Sequence, residues 1–453
     1  MVRDVEMKYD VIVIGAGTGG ALAAKTAAKL GLTTCLLERK KANMVGDKVC
    51  GDAVEKHDFD ALNIPLPKGE ELENTIKASN LYSPDQRMCR SLSEKGSGGY
   101  IINRLKFGQR LLKEALDTGL EFHDEIMVLN PLFTQNMVSG VESKDMRTGE
   151  KKTFETKVVI DASGFYSPLR KAMKSPYIEN EIEPSDYIIC YREILQVSGF
   201  DFDPHCVHIF LSQKRAPGGY LWLFPESEGR VNLGVGVYAD PTYKVKDYYT
   251  RECLPMVREP IEVIHQGGGV VPVRHPLWSL VESGIMFIGD AACQVNPLHG
   301  GGIGSSMRAG IYAAEAAAKA IEYDDCSIDG LWEYNKRYAK DQGGDFASLD
   351  LLRIALQRFT DEELNFGLHR GLLSNQDIMD IASGRIVQPE IIDVIGRAIR
   401  GIAKPSLLLN LYFINNQINR MKTLYKAYPD RAHFERWKAS ILKLYDKIKR
   451  LIH

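Results

Sequence analysis

A short apolar run breaks into a glycine turn at the start of this chain: Tyr9-Asp10-Val11-Ile12-Val13-Ile14, then Gly15-Ala16-Gly17-Thr18-Gly19-Gly20. This spacing predicts a β-strand, a tight turn and a helix, the opening of a dinucleotide-binding fold. Gly15 permits the turn, Gly17 lets backbone approach a pyrophosphate, and Gly20 lets the helix pack on the strand. The helix N-terminus then offers free N–H groups and a positive dipole end to phosphates. A second β-like run, Thr33 to Leu37, ends on Glu38. That is roughly twenty residues past the glycines, where a ribose-binding acid is expected. The motif by itself leaves NAD and FAD open.

A second signal, far downstream, decides between them. Ile285 to Ile288 reads as a buried strand, followed by Gly289-Asp290-Ala291-Ala292 and then Asn296-Pro297-Leu298-His299-Gly300-Gly301-Gly302-Ile303-Gly304. Asp290 can accept hydrogen bonds from ribityl hydroxyls; an ordinary helix-capping Asp fits the short motif too. The glycine loop entering a helix can stabilise negative charge on the N1–C2=O edge of a reduced flavin. An NAD site has no use for a second glycine loop so late in the chain. The pair of motifs therefore predicts FAD. Arg104, at the start of a predicted helix after Tyr100-Ile101-Ile102-Asn103, is a candidate cofactor contact or a surface Arg.

Composition narrows the remaining classes. At 453 residues the chain is too long for one core. Its 44% hydrophobic and 26% charged content is that of a globular protein. A net charge of −2 leaves no polyanion footprint, so no nucleic-acid partner is expected. The eight cysteines form no CxxC pair, which argues against zinc and iron–sulfur ligation, and no metal site is predicted. No secretory signal and no run of roughly 18 apolar residues is present, which predicts a cytoplasmic protein without a membrane span.

The texture of the chain changes twice. Residues 1–175 and 277–330 read as a discontinuous α/β, Rossmann-like nucleotide domain. Residues 176–276 carry short β-rich runs (Tyr187 to Ile194, Val207 to Leu211, Tyr220 to Phe224, Val231 to Tyr238), predicting an inserted antiparallel sheet that holds the substrate. Residues 331–453 read as helical, with breaks near Gly384, Pro389 and Pro405. The expected class is α/β with α+β character.

The ordered set of glycine turn, Arg104, Asp161-Ala162-Ser163-Gly164 with Ser167 and Arg170, and Gly289-Asp290 resembles the p-hydroxybenzoate-hydroxylase-type flavoproteins over residues 9 to about 320. Within that group the chain is similar to the geranylgeranyl reductases. Lys48-Val49-Cys50-Gly51-Asp52 resembles their cysteine–glycine loop. Pro217-Gly218-Gly219-Tyr220-Leu221-Trp222-Leu223-Phe224-Pro225 with Gly234-Val235-Gly236 resembles their YxWxFP…GxG signature. The resemblance implies FAD held by Gly15, Ala16, Gly17, Gly20, Glu38, Arg39, Cys50, Gly51, Arg104, Val128, Ala162, Asp290, Gly301, Gly302 and Ile303. It implies an isoprenoid lipid substrate in a pocket of Tyr220, Trp222, Phe224, Gly218 and Gly219, and reduction of isolated C=C bonds for archaeal lipids. Ala-Ser-Gly follows Asp161 where many hydroxylases have Asp-Gly directly, so NAD(P)H and ferredoxin both stand as electron donors.

The residues make chemical sense of this. In a strand, Tyr220, Trp222 and Phe224 share one face; the pattern alone fits a core stripe as well as a pocket wall. An unactivated trisubstituted alkene has no carbonyl to absorb charge. Protonation toward a tertiary carbocation with hydride from the flavin is the expected route, in a dry site lined by π faces. Cys50, Tyr220 and Trp222 are the catalytic candidates; Cys50 is a proton donor or simply a small buried hydrophobe. Two rival functions share the fold: a flavin monooxygenase or halogenase, since halogenases carry a WxWxIP strand that Tyr220–Pro225 partly matches, and a non-enzymatic prenyl-lipid escort. Leu407 to Leu409, Leu411, Tyr412, Phe413 and Ile414, with basic Arg420, Lys422 and Lys426, read as an interfacial helix for peripheral membrane contact or as a helix closing the substrate tunnel.

Overall fold

The computed structural model describes residues 8–93, 98–382 and 404–451. Its first layer is the nucleotide-binding sheet. Strand β1 (Lys8–Ile14) pairs in parallel with β2 (Thr34–Leu37) on one side and with Lys151–Asp161 on the other. Glu121–His123 extends the sheet beyond β2, and Ile285–Phe287 extends it beyond Lys151–Asp161. A hairpin, Ile126–Thr134 with Met137–Asp145, joins antiparallel to the early part of Lys151–Asp161. Val11, Ile12 and Val13 are fully buried, as the unbroken apolar run requires of a strand covered on both faces.

The glycine turn forms as expected. Gly15 has φ +92°, and a side chain there would meet the Ala162 carbonyl. Its N–H donates to Leu37 O, closing the turn on β2. A Cβ on Gly20 would overlap the Gly15 carbonyl, so only glycine lets helix α1 (Thr18–Lys29) start so close to the turn. The Ala-rich helix Ile303–Glu322 lies against α1, with Thr18 and Ser306 hydroxyls 3.0 Å apart.

The second layer is a seven-stranded sheet. Its order is Arg258–Pro272, Tyr187–Gly199, Arg230–Tyr238, Tyr220–Pro225, Cys206–Leu211, Ala78–Tyr82 and Cys89–Leu92. Neighbours are antiparallel except Cys206–Leu211 with Ala78–Tyr82. Two of its strands thus come from outside residues 176–276. One face is an apolar core of Leu195, Phe210, Leu221, Leu223, Leu233 and Val235 under Tyr249 and Cys253. The other carries Val207, Ile209, Tyr220, Trp222 and Phe224 toward the nucleotide layer.

C-terminal helices close one end: Ile328–Tyr338, Gly344–Leu356, Asp361–His369, Asn375–Ala382, Pro405–Lys426 and Phe434–Leu451. The expected breaks at Gly384 and Pro389 lie outside the described residues. A buried ionic knot ties these helices to the sheets. Arg274 bonds Glu179 at 2.6 Å, Arg353 bonds Asp350 at 2.7 Å, and Asp350 accepts from His275 N and Tyr445 OH. Among the described residues no helix is long and apolar enough to cross a membrane. All eight cysteines are unpaired thiols.

Candidate active site

The layers enclose one continuous cavity of about 1680 Å³. A pocket for a single drug-sized ligand is roughly 300–1,000 Å³, so this one has room for a dinucleotide and a second long molecule. At one end stand the glycine turn, Glu38 and Arg39. At the other lie Leu352, Leu356, Phe359, Leu368, Leu407 and Leu411 from the C-terminal helices. The Cys50–Gly51 loop, the Gly300–Gly304 loop and the Tyr220–Phe224 strand form the waist between them.

The nucleotide end fits FAD. A side chain built at Gly17 would point into open space, which leaves the backbone free to approach a phosphate. Glu38, at the end of β2, is oriented by two backbone donors, Ala16 N at 2.7 Å and Lys40 N at 2.8 Å. Arg104 starts helix Arg104–Leu116 and is buried, yet its Nε and Nη1 have no hydrogen-bond partner. A buried guanidinium with idle donors is set up for an anionic ligand. Asp290 lies across the cavity and is held by Lys48 Nζ at 2.8 Å. Helix Ile303–Glu322 opens at Gly302 with no side-chain cap, so its first-turn amides remain for a ligand. Arg39, Val128, Ala162, Gly301 and Ile303 line the same space.

The waist is built by alternation. Leu221 and Leu223 point into the sheet core, fully buried, so Tyr220, Trp222 and Phe224 must point the other way, onto the cavity. Their rings form a row, centroids 6.0 and 6.4 Å apart. Tyr220 OH donates to His299 O at 2.6 Å, joining the aromatic strand to the Gly300 loop. Phe224 packs edge-on against Gly51, where a Cβ would come within 2.9 Å of the ring.

Two expected pocket residues are not in the wall. Gly218 packs against the Tyr238 ring and Gly219 against the Gly236 carbonyl, and neither lines the cavity. The Gly218 carbonyl accepts from Gln357 Nε2 at 2.7 Å. Their small size serves strand-to-strand packing where the chain enters Tyr220–Pro225. The acid of the Asp161 segment also turns inward. It accepts from Ser163 N at 2.9 Å and Ser167 Oγ at 2.5 Å and is fully buried, while Ser163 and Ser167 reach the cavity.

The structure adds three residues that sequence reasoning did not place in the site. Asn232 is fully buried beside Trp222; its Oδ1 accepts from Trp222 Nε1 at 3.0 Å, and its Nδ2 donates to Cys50 O at 2.9 Å and Asp52 Oδ2 at 3.1 Å. Arg192 Nε donates to Cys50 O at 3.1 Å, and its Nη2 sits 3.7 Å from Asp52. Asp52 adopts a left-handed backbone conformation (φ 63°), and its Oδ1 is buried without a hydrogen-bond partner. One signal was available for Asn232: a lone polar residue on an otherwise apolar strand, Val231-Asn232-Leu233-Gly234-Val235. Burial holds the Cys50 thiol above its ordinary pKa, with the Asp52 charge adding to it. Burial likewise pushes Asp52 up to about 7 against the opposing pull of Arg192 and Arg104. Cys50 is thus a proton-bearing thiol rather than a standing thiolate.

Comparison with known proteins places this geometry. Residues 10–165 match the FAD dependent oxidoreductase family, and residues 186–271 match the geranylgeranyl reductase catalytic domain. The digeranylgeranylglycerophospholipid reductase of Sulfolobus acidocaldarius is 36% identical over 94% of both chains. This chain belongs to the digeranylgeranylglycerophospholipid reductase family. The reductase of that name from Methanothrix thermoacetophila is 35% identical over 80% of this chain and 91% of its own. Among solved structures, a geranylgeranyl bacteriochlorophyll reductase-like protein from Thermoplasma acidophilum superposes with TM-score 0.76 at 24% identity, covering 90% of this chain and all of that one. The myxobacterial chondrochloren halogenase superposes at 0.64 and 16%, over 93% of this chain and 97% of that one, which shows a shared fold only. The chain is an FAD-dependent oxidoreductase of the reductase family, and the escort reading falls away.

Proposed function

We propose that this protein saturates the isoprenoid C=C bonds of geranylgeranyl chains carried on glycerophospholipids. One observation carries the reading. The FAD cradle and a leucine-lined arm belong to one cavity, whose lining also includes the Tyr220–Phe224 face, the Cys50 loop and the Gly300–Gly304 loop. When bound and reduced, FAD supplies the hydride. The protein does the rest. Leu352, Leu356, Phe359 and Leu411 hold an apolar chain out of water. The faces of Tyr220, Trp222 and Phe224 stabilise positive charge as it develops on the tertiary alkene carbon. Cys50 stands beside them as the proton donor. The uncapped start of helix Ile303–Glu322 stabilises negative charge at the cofactor.

The substrate is a lipid, so the arm must exchange with a membrane. Helix Pro405–Lys426 has two faces: Leu407 and Leu411 line the cavity, while Leu409 and Tyr412 are each 68% exposed, with Arg420 and Lys426 outside as well. That outer face docks the protein peripherally on a bilayer from the cytoplasmic side. Electrons enter from NAD(P)H or a ferredoxin.

The test is anaerobic. The FAD-loaded protein is reduced with dithionite, mixed with digeranylgeranylglycerophospholipid in detergent, and the lipid is read by mass spectrometry. Addition of hydrogen pairs to the chains, with reoxidation of the flavin, is the expected result. A lipid that leaves the reduced flavin untouched and emerges unchanged refutes the function. Repeating the assay with NADPH or reduced ferredoxin in place of dithionite tells the donors apart.

A further inference from the structure

Residues 47–52, the loop that carries Cys50, lie in no strand or helix. Side chains from elsewhere must therefore fix where the loop stands over the cavity. We infer that Arg192 and His265 are the positioning pair for this loop, a guanidinium–imidazole strut that holds both its ends and stays intact only while His265 is uncharged. This rests on the reductase reading above, in which Cys50 works on the substrate.

Arg192 rises from strand Tyr187–Gly199 and is 3% exposed. Gly234 makes room for it, since a Cβ there would come within 2.7 Å of Arg192 Cβ. The guanidinium reaches three ways. Nε donates to Cys50 O at 3.1 Å, Nη2 stands 3.7 Å from Asp52 Oδ2, and Nη1 meets His265 Nδ1 at 2.7 Å. His265 lies on the neighbouring strand Arg258–Pro272 and turns its other nitrogen to the start of the loop, with Nε2 3.4 Å from Asp47 Oδ1. One side chain from each strand thus spans the loop from Asp52 back to Asp47. Shorter contacts follow the same line. Val49 packs on Gly267, where any side chain would run into it, and Lys40 Nζ donates to Asp47 O. Lys48 leaves the loop for Asp290 Oδ2 at 2.8 Å, so the loop's position also sets the partner of a cofactor-binding acid.

Donor chemistry fixes the state of the imidazole. A guanidinium has N–H donors and no acceptor, so His265 Nδ1 accepts from Arg192 and the ring proton sits on Nε2, facing Asp47. A second proton, on Nδ1, would remove that acceptor and set two cations against each other across 2.7 Å. The charged and titratable groups facing His265 are Arg192 and Asp47, with Asp52 beyond Arg192 and Lys40 beside Asp47. Acidification therefore opens the strut and frees the loop. A lysine in place of Arg192 keeps the charge but cannot bridge Cys50 O and His265 at once. Displacing a reacting group by about 1 Å can cost about a hundredfold in rate. The pair therefore acts on kcat through Cys50, while the leucines that hold the apolar chain stand elsewhere in the cavity.

The experiment compares the FAD-loaded wild type with Arg192→Lys, His265→Leu and His265→Asn. Nitrogen-15 NMR of histidine-labelled protein reads the ring directly, the His265 signals being those missing from His265→Asn. At about pH 8 an unprotonated, accepting Nδ1 is expected; an Nδ1–H tautomer or an imidazolium overturns the inference. In anaerobic turnover at the same pH, Arg192→Lys and His265→Leu are expected to lose about tenfold or more in kcat, with KM changed by less than about twofold. His265→Asn puts an amide acceptor where Nδ1 stands and does not titrate. It is expected to recover most of the kcat lost in His265→Leu and to flatten the acid-side fall of kcat seen in wild type. Equal losses in His265→Leu and His265→Asn, or an acid limb unchanged by His265→Asn, overturn the inference. If Arg192→Lys does not fold, the two His265 variants decide alone. Wild type that leaves lipid unreduced sinks the reductase reading instead, while the NMR spectra still test the strut.

Discussion

Replacing Asn232 by Ala removes one side chain and three hydrogen bonds. Cys50 O keeps a partner, Arg192 Nε at 3.1 Å, so that loss is partly covered. Trp222 Nε1 and Asp52 Oδ2 are left without theirs, in a site where Asn232 itself has no exposure. Stranding a buried polar group costs about 1–3 kcal/mol, and more for a charged one. Two such groups give about 2–6 kcal/mol. Water entering the space vacated by the amide brings the expected loss toward about 3 kcal/mol. Denaturation at equal, saturating FAD measures it, since bound cofactor otherwise shifts the midpoint by mass action. Hydrogen exchange at the Trp222 indole gives a local reading and is expected to accelerate. Asn232→Asp separates the terms: it keeps the acceptor for Trp222 but turns a carboxylate on Asp52 and Cys50 O. It should be worse than Ala above pH 7 and recover on acidification. A loss below about 1 kcal/mol in Asn232→Ala, with indole exchange unchanged, would refute the view that this amide clamps the Cys50 loop to the aromatic wall.

Four further outcomes are expected. Asp290 has one ionic partner, the exposed Lys48, and surface pairs contribute about 1 kcal/mol at most; Asp290→Ala should fold normally yet show weakened FAD affinity by flavin fluorescence. Trp222→Ala should depress lipid reduction far more than FAD binding, and equal losses in both would remove Trp222 from the substrate wall. His275 is held down to about 4 by burial first and then by Arg274, so the folded state resists protonating it. Its contribution is complete above the unfolded value near 6.5 and is lost as pH falls toward 4, roughly 3 kcal/mol over that window, read as the pH dependence of wild type minus His275→Gln in denaturation. The Leu409→Glu/Tyr412→Glu pair should abolish co-sedimentation with anionic liposomes while leaving reduction of detergent-dispersed lipid intact; unchanged sedimentation argues against docking through this helix.

Much of this protein is written locally. The turn at Gly15–Gly20, the alternation through Tyr220–Phe224, and the strands near 187–199, 206–211 and 230–238 follow from glycine chemistry and a period of two, which a linear reading can see. So does the nucleotide end of the site, because its parts are backbone turns and helix starts. What the line of residues could not supply is which distant parts meet. Asn232 reaches Cys50 across 182 positions, and nothing within either segment encodes that contact. Ala78–Tyr82 and Cys89–Leu92 join the second sheet because its free edge at Cys206–Leu211 needs hydrogen-bond partners, a demand visible only once that sheet exists. The same holds for Gly218 and Gly219, whose family signature reads as pocket but whose neighbours in space are the Tyr238 ring and the Gly236 backbone. The protonation of Asp52 belongs to this second kind as well. An aspartate is a charge in any sequence, and only burial between two sheets, with one oxygen left unpartnered, lets it hold a proton near neutrality.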